Sequence, residues 1–112
     1  MEKSKKYESA ILAIFNEYIE TYQSSQGTVC PELIVDEERK RYLLILIGWD
    51  EDRFVYAPLF HFDIREDKIW LQQNSTDLPI AQNLLEKNVP RTDIVLGFKP
   101  DYMRIHSGFG VA

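Results

Sequence analysis

One cysteine, Cys30, is all the thiol this 112-residue chain contains. It allows no internal disulfide and no cysteine-based zinc site, and a reducing, cytoplasmic setting is the expected one. Histidine is nearly as scarce, with only His61 and His106. A protein-bound zinc takes three or four ligands, so those two would have to recruit scattered carboxylates, and neither a metal nor a cofactor is expected. The five glycines form no phosphate-cradling loop after a strand. Long apolar runs are missing as well: Glu8, Asn16, Glu17 and Glu20 interrupt the opening stretch MEKSKKYESAILAIFNEYIE, which therefore reads neither as a signal peptide nor as a membrane span. Positive charge is in deficit, with 13 Lys and Arg against 18 Asp and Glu and a formal net charge of −5. Lys3, Lys5 and Lys6 sit among Glu2 and Glu8, and Arg39-Lys40-Arg41 directly follow Asp36-Glu37-Glu38. Mixed charge of this kind is a solvated surface, and direct contact with nucleic acid is not expected.

What the chain does have is a patterned middle. Residues 41–74 read RYLLILIGWDEDRFVYAPLFHFDIREDKIWLQQN, three apolar, aromatic-rich runs split by the charged turns Asp50-Glu51-Asp52 and Arg65-Glu66-Asp67. That pattern predicts a β-meander with strands at 41–49, 53–64 and 68–73. A further strand is expected at 30–35, with Pro31 favouring a sheet edge or strand start. In the first meander strand Leu43, Ile45, Ile47 and Trp49 alternate with Tyr42, Leu44, Leu46 and Gly48, so both faces are apolar. Strands that do not alternate are covered on both sides. Either the helices straddle the sheet, or they share one face and another protein covers the other. Pro58 within the second strand requires an edge or a bulge, and a bulge would switch which of its residues face the core. Trp70, flanked by polar neighbours on its own face, could anchor a partner or lie over a neighbouring strand.

Two helices bracket the meander. Tyr7, Ile11, Ile14, Phe15, Tyr18 and Tyr22 recur at steps of three and four, which predicts a helix over 4–24 with an aromatic stripe toward the core, stopped before Gly27. Ser75-Thr76-Asp77 offer N-cap oxygens to a second helix with Pro79 in its first turn, Ile80, Ala81, Leu84 and Leu85 on its buried stripe, and Asn88 as a left-handed C-cap ahead of Pro90. Residues 93–98 read as a short last strand, and the segment from Lys99 as a tail with little regular structure that Phe109 and Val111 could dock. The fold class is α+β: one two-layer domain over 1–112, an antiparallel meander packed with an N-terminal and a C-terminal helix in the order α-β-β-β-β-α-short β.

Chemistry-bearing clusters are few. His61 and Asp63, two apart on a strand, share a face, where a carboxylate can orient an imidazole for base catalysis or metal binding. Without a ready third ligand, a structural or interface role is the preferred reading. Asp50 and Asp52 sit in a turn that uses aspartates for its own hydrogen bonds, and Cys30 has no neighbouring histidine to activate it. The chain is expected not to be an enzyme.

The ordered series Gly48-Trp49-Asp50, Arg53 and Tyr56, His61-Phe62-Asp63-Ile64, Lys68-Ile69-Trp70 with Gln72, and Val89-Pro90 ahead of Asp93-Ile94-Val95-Leu96-Gly97-Phe98 resembles the XisI family. These are the excision controlling factors of the fdxN element, found mostly in cyanobacteria. The resemblance runs from the opening helix to Phe109-Gly110-Val111-Ala112, with departures at Asn88, where a glycine often stands, and Lys99, where a histidine is expected. It implies a small α+β fold and a part in programmed site-specific excision of a DNA element. A separate recombinase acts in that process, as does a second controlling factor of the XisH type, which resembles nucleases.

No recombinase chemistry is visible here, so the expected role is a non-enzymatic regulatory subunit that binds an XisH-like partner. Trp49, Arg53, Tyr56, His61, Asp63 and Trp70 are the expected partner-binding residues, and self-association is expected as well. The alternatives are a direct DNA-binding accessory factor, or a small hydrolase or metal enzyme using His61 and Asp63.

Overall fold

Apolar periodicity in the first helix and period-two patterning in the strands meet in one core. The computed structural model describes residues 2–22 and 27–111. Helix α1 (Glu2–Thr21) is followed by β1 (Cys30–Asp36), β2 (Arg41–Asp50), β3 (Arg53–Arg65), β4 (Lys68–Asn74), α2 (Ile80–Glu86), a 3-10 turn (Arg91–Asp93), β5 (Ile94–Leu96) and a short α3 (Asp101–Arg104). The five strands form one sheet in the order β1-β2-β3-β4-β5. Helix α1 ends at Thr21, before the expected end at 24, and residues 23–26, with the last two positions of the expected helix, lie outside the described residues. Among the described residues no helix is long and apolar enough to cross a membrane.

Both main helices pack on the same face. Tyr7, Ile11, Ile14 and Phe15 of α1 and Ile80 and Leu84 of α2 are buried in one cluster with Tyr42, Leu44, Phe60, Phe62, Ile69 and Leu71. Phe15 stacks on Phe60 at 6.1 Å and tilts against Phe62 at 5.6 Å between ring centroids, and such pairs add about 0.5–1.5 kcal/mol beyond the area they bury. The helices therefore share one face rather than straddling the sheet, and among the described residues the opposite face of β1–β3 carries no helix.

Two bulges set which residues reach each face. Leu44 pairs with Phe60 but Ile45 pairs with Pro58, leaving Leu59 as an extra residue. Its carbonyl accepts the Ser75 N–H at 2.8 Å, and beyond it the row switches sides. Phe60 and Phe62 enter the core, while Phe54 and Tyr56 face out. A second shift, between His61↔Gln73 and Phe62↔Leu71, leaves Gln72 unpaired. The β3–β4 turn uses Glu66 (φ 51°) and Asp67 (φ 60°), the left-handed pair a two-residue hairpin of this hand requires.

The last third differs from expectation in three places. Helix α2 has no side-chain cap, and Pro79 precedes it; Thr76 Oγ1 instead accepts the Leu78 N–H at 3.1 Å and donates to Asn74 Oδ1 at 2.7 Å, closing a polar turn of its own. At its other end the expected stop holds: Asn88 has φ 68°, and the N–H groups of Asn88 and Val89 close onto Leu85 and Leu84, a Schellman arrangement. Strand β5 is only three residues long and runs parallel to β4, because α2 carries the chain back to the starting end, so the sheet is mixed. The tail is more ordered than its composition suggests: Gly110 bridges Val95, and α3 precedes it.

A buried polar lock ties α1 to the 3-10 turn. Tyr7 donates its hydroxyl to the Asp93 carboxylate, which Lys3 Nζ also meets at 3.0 Å. Burial is the largest influence on Asp93 and raises its pKa, but the hydrogen bonds from Tyr7 and Lys3 and the charges of Lys3 and Lys68 outweigh it and hold the carboxyl below its ordinary value. Burial and then the Asp93 bond push the Tyr7 phenol well above its ordinary value.

The signs follow from linkage. The depressed Asp93 contributes stability above the ordinary carboxylate range that is lost as pH falls through its folded value. The raised Tyr7 contributes stability that is lost as pH rises past the ordinary phenol value of 10.0 toward its folded value. Tyr7→Phe is expected to cost about 1.5–3 kcal/mol at neutral pH, the range for a hydrogen bond to a charged group. It should also flatten the acid limb of a plot of thermal midpoint against pH. An unchanged acid limb would mean that Tyr7 does not hold the carboxylate.

Candidate functional site

The register places five of the six expected partner-binding residues on the helix-free face, in two clusters. In β2 the outward row is Leu43, Ile45, Ile47 and Trp49, and it lies against Ile34 of β1 and against Pro58, Tyr56 and Phe54 of β3. At one end Trp49 meets Phe54 with ring centroids 5.1 Å apart, and Tyr56 stands opposite Ile47. Trp49 is 51% exposed, Phe54 51%, Tyr56 62% and Ile34 45%. Ile45, between Ile34 and the Trp49 end, is buried, so the exposed apolar cluster is Trp49, Phe54 and Tyr56, and such a cluster marks an interaction surface. Arg53 falls outside this row: by register it belongs to the helix side, at the hairpin tip, with its guanidinium 3.7 Å from Asp50.

Trp49 is fixed by its backbone. The segment from Gly27 to Val29 crosses the end of β2, where the Thr28 N–H donates to the Trp49 carbonyl and the Trp49 N–H donates to Thr28 Oγ1, both at 2.9 Å. This close crossing needs Gly48, whose φ is +147°; a Cβ there would lie 2.5 Å from the Thr28 oxygen and 2.6 Å from the Val29 Cα.

The second cluster lies further along β3, roughly 15 Å away at about 3.3 Å per residue. Asp63 is buried there and receives three partners: His61 Nε2 at 2.9 Å on Oδ1, and Arg65 at 2.9 Å and the Gln72 carboxamide at 3.2 Å on Oδ2. The bulge that frees Gln72 from the ladder also aims it at this carboxylate, a common use of a bulge. Beside it the Trp70 indole meets two guanidinium groups, those of Arg65 and Arg104, each 5.0 Å from the ring centroid. Trp70 is half-buried in this stack rather than standing free among its polar neighbours.

The tail closes this end of the face. Val95 is fully buried behind Trp70, Arg104 of α3 reaches the Trp70 ring, and Lys68 donates to the Val111 carbonyl at 2.9 Å. The uncovered part of the sheet is thus the β1–β3 half.

Chemically, the His61–Asp63 pair holds an imidazole in one orientation, with its other ring nitrogen free to bond outward. Both Asp63 oxygens are occupied, and no third His, Cys, Asp or Glu joins the pair within metal-binding reach among the described residues. A groove of about 620 Å³ lies elsewhere, between the end of β4, the start of α2 and Phe98 and Phe109. Its lining carries apolar groups and the carboxamides of Gln72, Gln73, Asn74 and Gln82 but no ionisable side chain, so it offers no general acid or base.

Sequence reasoning missed Phe54, Arg65, Gln72 and Arg104. Reading Glu51-Asp52 as a two-residue turn would have found Phe54, since it pairs Asp50 with Arg53 and Trp49 with Phe54. Arg104 reaches Trp70 from 34 residues away, and no local pattern signals that contact.

The model of the family described as XisI protein matches residues 1–111. No curated protein matches the chain. The crystal structure of a XisI-like protein from Anabaena variabilis ATCC 29413 superposes with a TM-score of 0.90 at 39% identity, covering 97% of this chain and 99% of that one. The fdxN element excision controlling factor XisI from the same organism superposes with a TM-score of 0.82 at 34% identity, covering 98% of this chain and 99% of that one.

Proposed function

The chain belongs to the XisI family, and on that premise we propose that it acts as a controlling factor in excision of a DNA element by binding another protein through the helix-free half of its sheet. The observation that carries this reading is the cluster Trp49, Phe54 and Tyr56, with Ile34 further along, exposed on a face that neither helix nor tail covers among the described residues. An XisH-like, nuclease-related protein is the proposed partner, docking with Trp49 and Tyr56 at the centre of the contact and His61, Asp63 and Trp70 toward its rim. Arg53, on the other side of the hairpin tip, contributes only if the partner wraps that tip.

The proposed contribution to excision is not strand cleavage. The Asp63 carboxylate is fully engaged by its neighbours, the His61 imidazole is held by it, and the large groove has no ionisable lining. The formal net charge of −5 favours a basic protein surface over a phosphate backbone.

Co-expression with an XisH-like protein tests this. A stable complex at micromolar concentration is the expected result. Two separate species in size-exclusion chromatography would sink the reading. A salt-sensitive mobility shift of element-end DNA by this chain alone would replace it with direct DNA binding.

A further inference from the structure

The two edges of the sheet are treated differently. On the β5 side the tail folds back, and the Gly110 N–H donates to the Ile94 carbonyl at 2.7 Å while Gly110 bridges Val95. On the β1 side nothing among the described residues pairs with the outer backbone of Cys30–Asp36. Open strand edges are usually blunted by lysine, a bulge or a covering segment. Strand β1 contains no lysine, pairs with β2 without a register shift, and shows Leu33, Ile34 and Val35 at 39%, 45% and 36% exposure.

The direction of each backbone group along this edge can be read from one bond. Thr28 stands opposite Trp49 in the register that continues Cys30↔Ile47, and its N–H donates to the Trp49 carbonyl. In an antiparallel ladder such pairs alternate, so even-numbered residues of β1 turn their N–H and C=O toward β2. Odd-numbered residues turn theirs to the open edge. Pro31 is odd, and its missing N–H falls on the open side, where it costs the internal ladder nothing. The groups left on offer are the carbonyl of Pro31 and both groups of Leu33 and of Val35.

We infer that this edge pairs antiparallel with the same edge of a second copy of the chain, continuing the sheet across a twofold axis at Leu33. A seven-residue strand has its midpoint at residue four, here Leu33, and Leu33 is one of the residues facing outward. The axis through Leu33 therefore overlaps the two strands completely. It makes Leu33 a hydrogen-bonded pair with itself and lets the Val35 N–H reach the Pro31 carbonyl on each side. In this register Glu32 stands opposite Ile34 and Asp36 opposite Cys30, so no like charges face each other. A one-residue shift of the axis to Ile34 would set Glu32 against Asp36. Leu33 and Val35 project on the helix side and Ile34 on the other, so the apolar layers on both faces continue across the axis, as an isologous contact requires.

Proline is the discriminating substitution. Leu33→Pro removes an N–H that the folded chain does not use, as Pro31 already does, but deletes the central bonds of the proposed pair. Wild-type protein is expected to sediment as a dimer at micromolar concentration, and Leu33→Pro as a monomer with unchanged circular dichroism and thermal midpoint. Should Leu33→Pro fold poorly, Leu33→Lys gives the same readout with the ladder intact, because it opposes two ammonium groups on the axis. Register is checked with Leu33→Cys in a Cys30→Ser background. Hydrogen-bonded partners have Cα atoms about 5.5 Å apart, within disulfide reach, so oxidation should link the dimer there and fail to link Glu32→Cys. A wild-type monomer at all accessible concentrations would overturn the inference, and so would a dimer that survives both Leu33 substitutions.

Discussion

Gly48→Ala is expected to destabilise the chain by about 3 kcal/mol or more, among the larger single-residue effects available. The residue carries two constraints. Its φ of +147° lies where an L side chain is strained, which costs on the order of 1–3 kcal/mol. Its missing Cβ also makes room for the backbone of Thr28 and Val29, at 2.5–2.6 Å from where the methyl would sit. Backbone cannot rotate out of the way as a side chain can, so the crossing segment would have to lift. That movement would break both hydrogen bonds between Thr28 and Trp49 and release the indole they fix.

Gly108→Ala provides the control. Its φ is also positive, +82°, but the nearest atom to an added Cβ is the Arg91 guanidinium at 4.0 Å, so only the conformational part, about 1–2 kcal/mol, remains. In a chain of this length 3 kcal/mol corresponds to a fall of roughly 12 °C in thermal midpoint. If the two alanine variants melt together, the clash at Gly48 does not contribute.

Much of this architecture was legible because its signals are local. The meander announced itself through period-two patterning and acidic turns, and Asn88 with Pro90 marked the end of α2, because each feature is set by a few adjacent residues. Pro58 signalled a disturbance, but Pro58-Leu59-Phe60 does not say which residue is extra. That choice is made by core volume, since Leu59 and Phe60 are both buried, and by the Ser75 N–H that takes up the displaced carbonyl. Because the bulge decides whether the earlier residues of β3 share a face with Phe60 and Phe62, the side of Phe54 relative to the core could not be assigned until it was placed.

The candidate site divides in the same way. His61 and Asp63 were adjacent by strand geometry alone, but the partners that make Asp63 a buried, satisfied carboxylate include Gln72, freed by a second bulge. The guanidinium that completes the stack on Trp70 comes from a four-residue helix with no periodicity to detect. The two apolar faces of β2 posed a question that only the third dimension answers: α1 and α2 lie together, and among the described residues no helix covers the far side.

Trp49→Ala and Tyr56→Ala should each weaken the proposed complex with an XisH-like protein by about 2–3 kcal/mol, roughly 30- to 150-fold in Kd, while leaving the stability of the chain almost unchanged. Both halves follow from exposure. A side chain half or more exposed in the free chain has little to lose there by truncation, whereas an aromatic at the centre of a desolvated contact loses most of its buried area.

Asp63→Ala should behave in the opposite way. It removes a carboxylate only 4% exposed that holds His61, Arg65 and Gln72, but Arg65 and His61 are 49% and 37% exposed and can return to water. The expected stability loss is therefore about 1–3 kcal/mol rather than the larger penalty of a stranded buried charge. Any loss of affinity should be smaller than at Trp49 and should be shared by Trp70→Ala, because both substitutions loosen the Arg65–Trp70–Arg104 stack. Isothermal titration of the four folded variants, with thermal melts of each, separates the cases. Equal affinity losses at Trp49 and Asp63 would move the centre of the contact toward His61, and no loss at Trp49 or Tyr56 would remove the bare half of the sheet from the contact altogether.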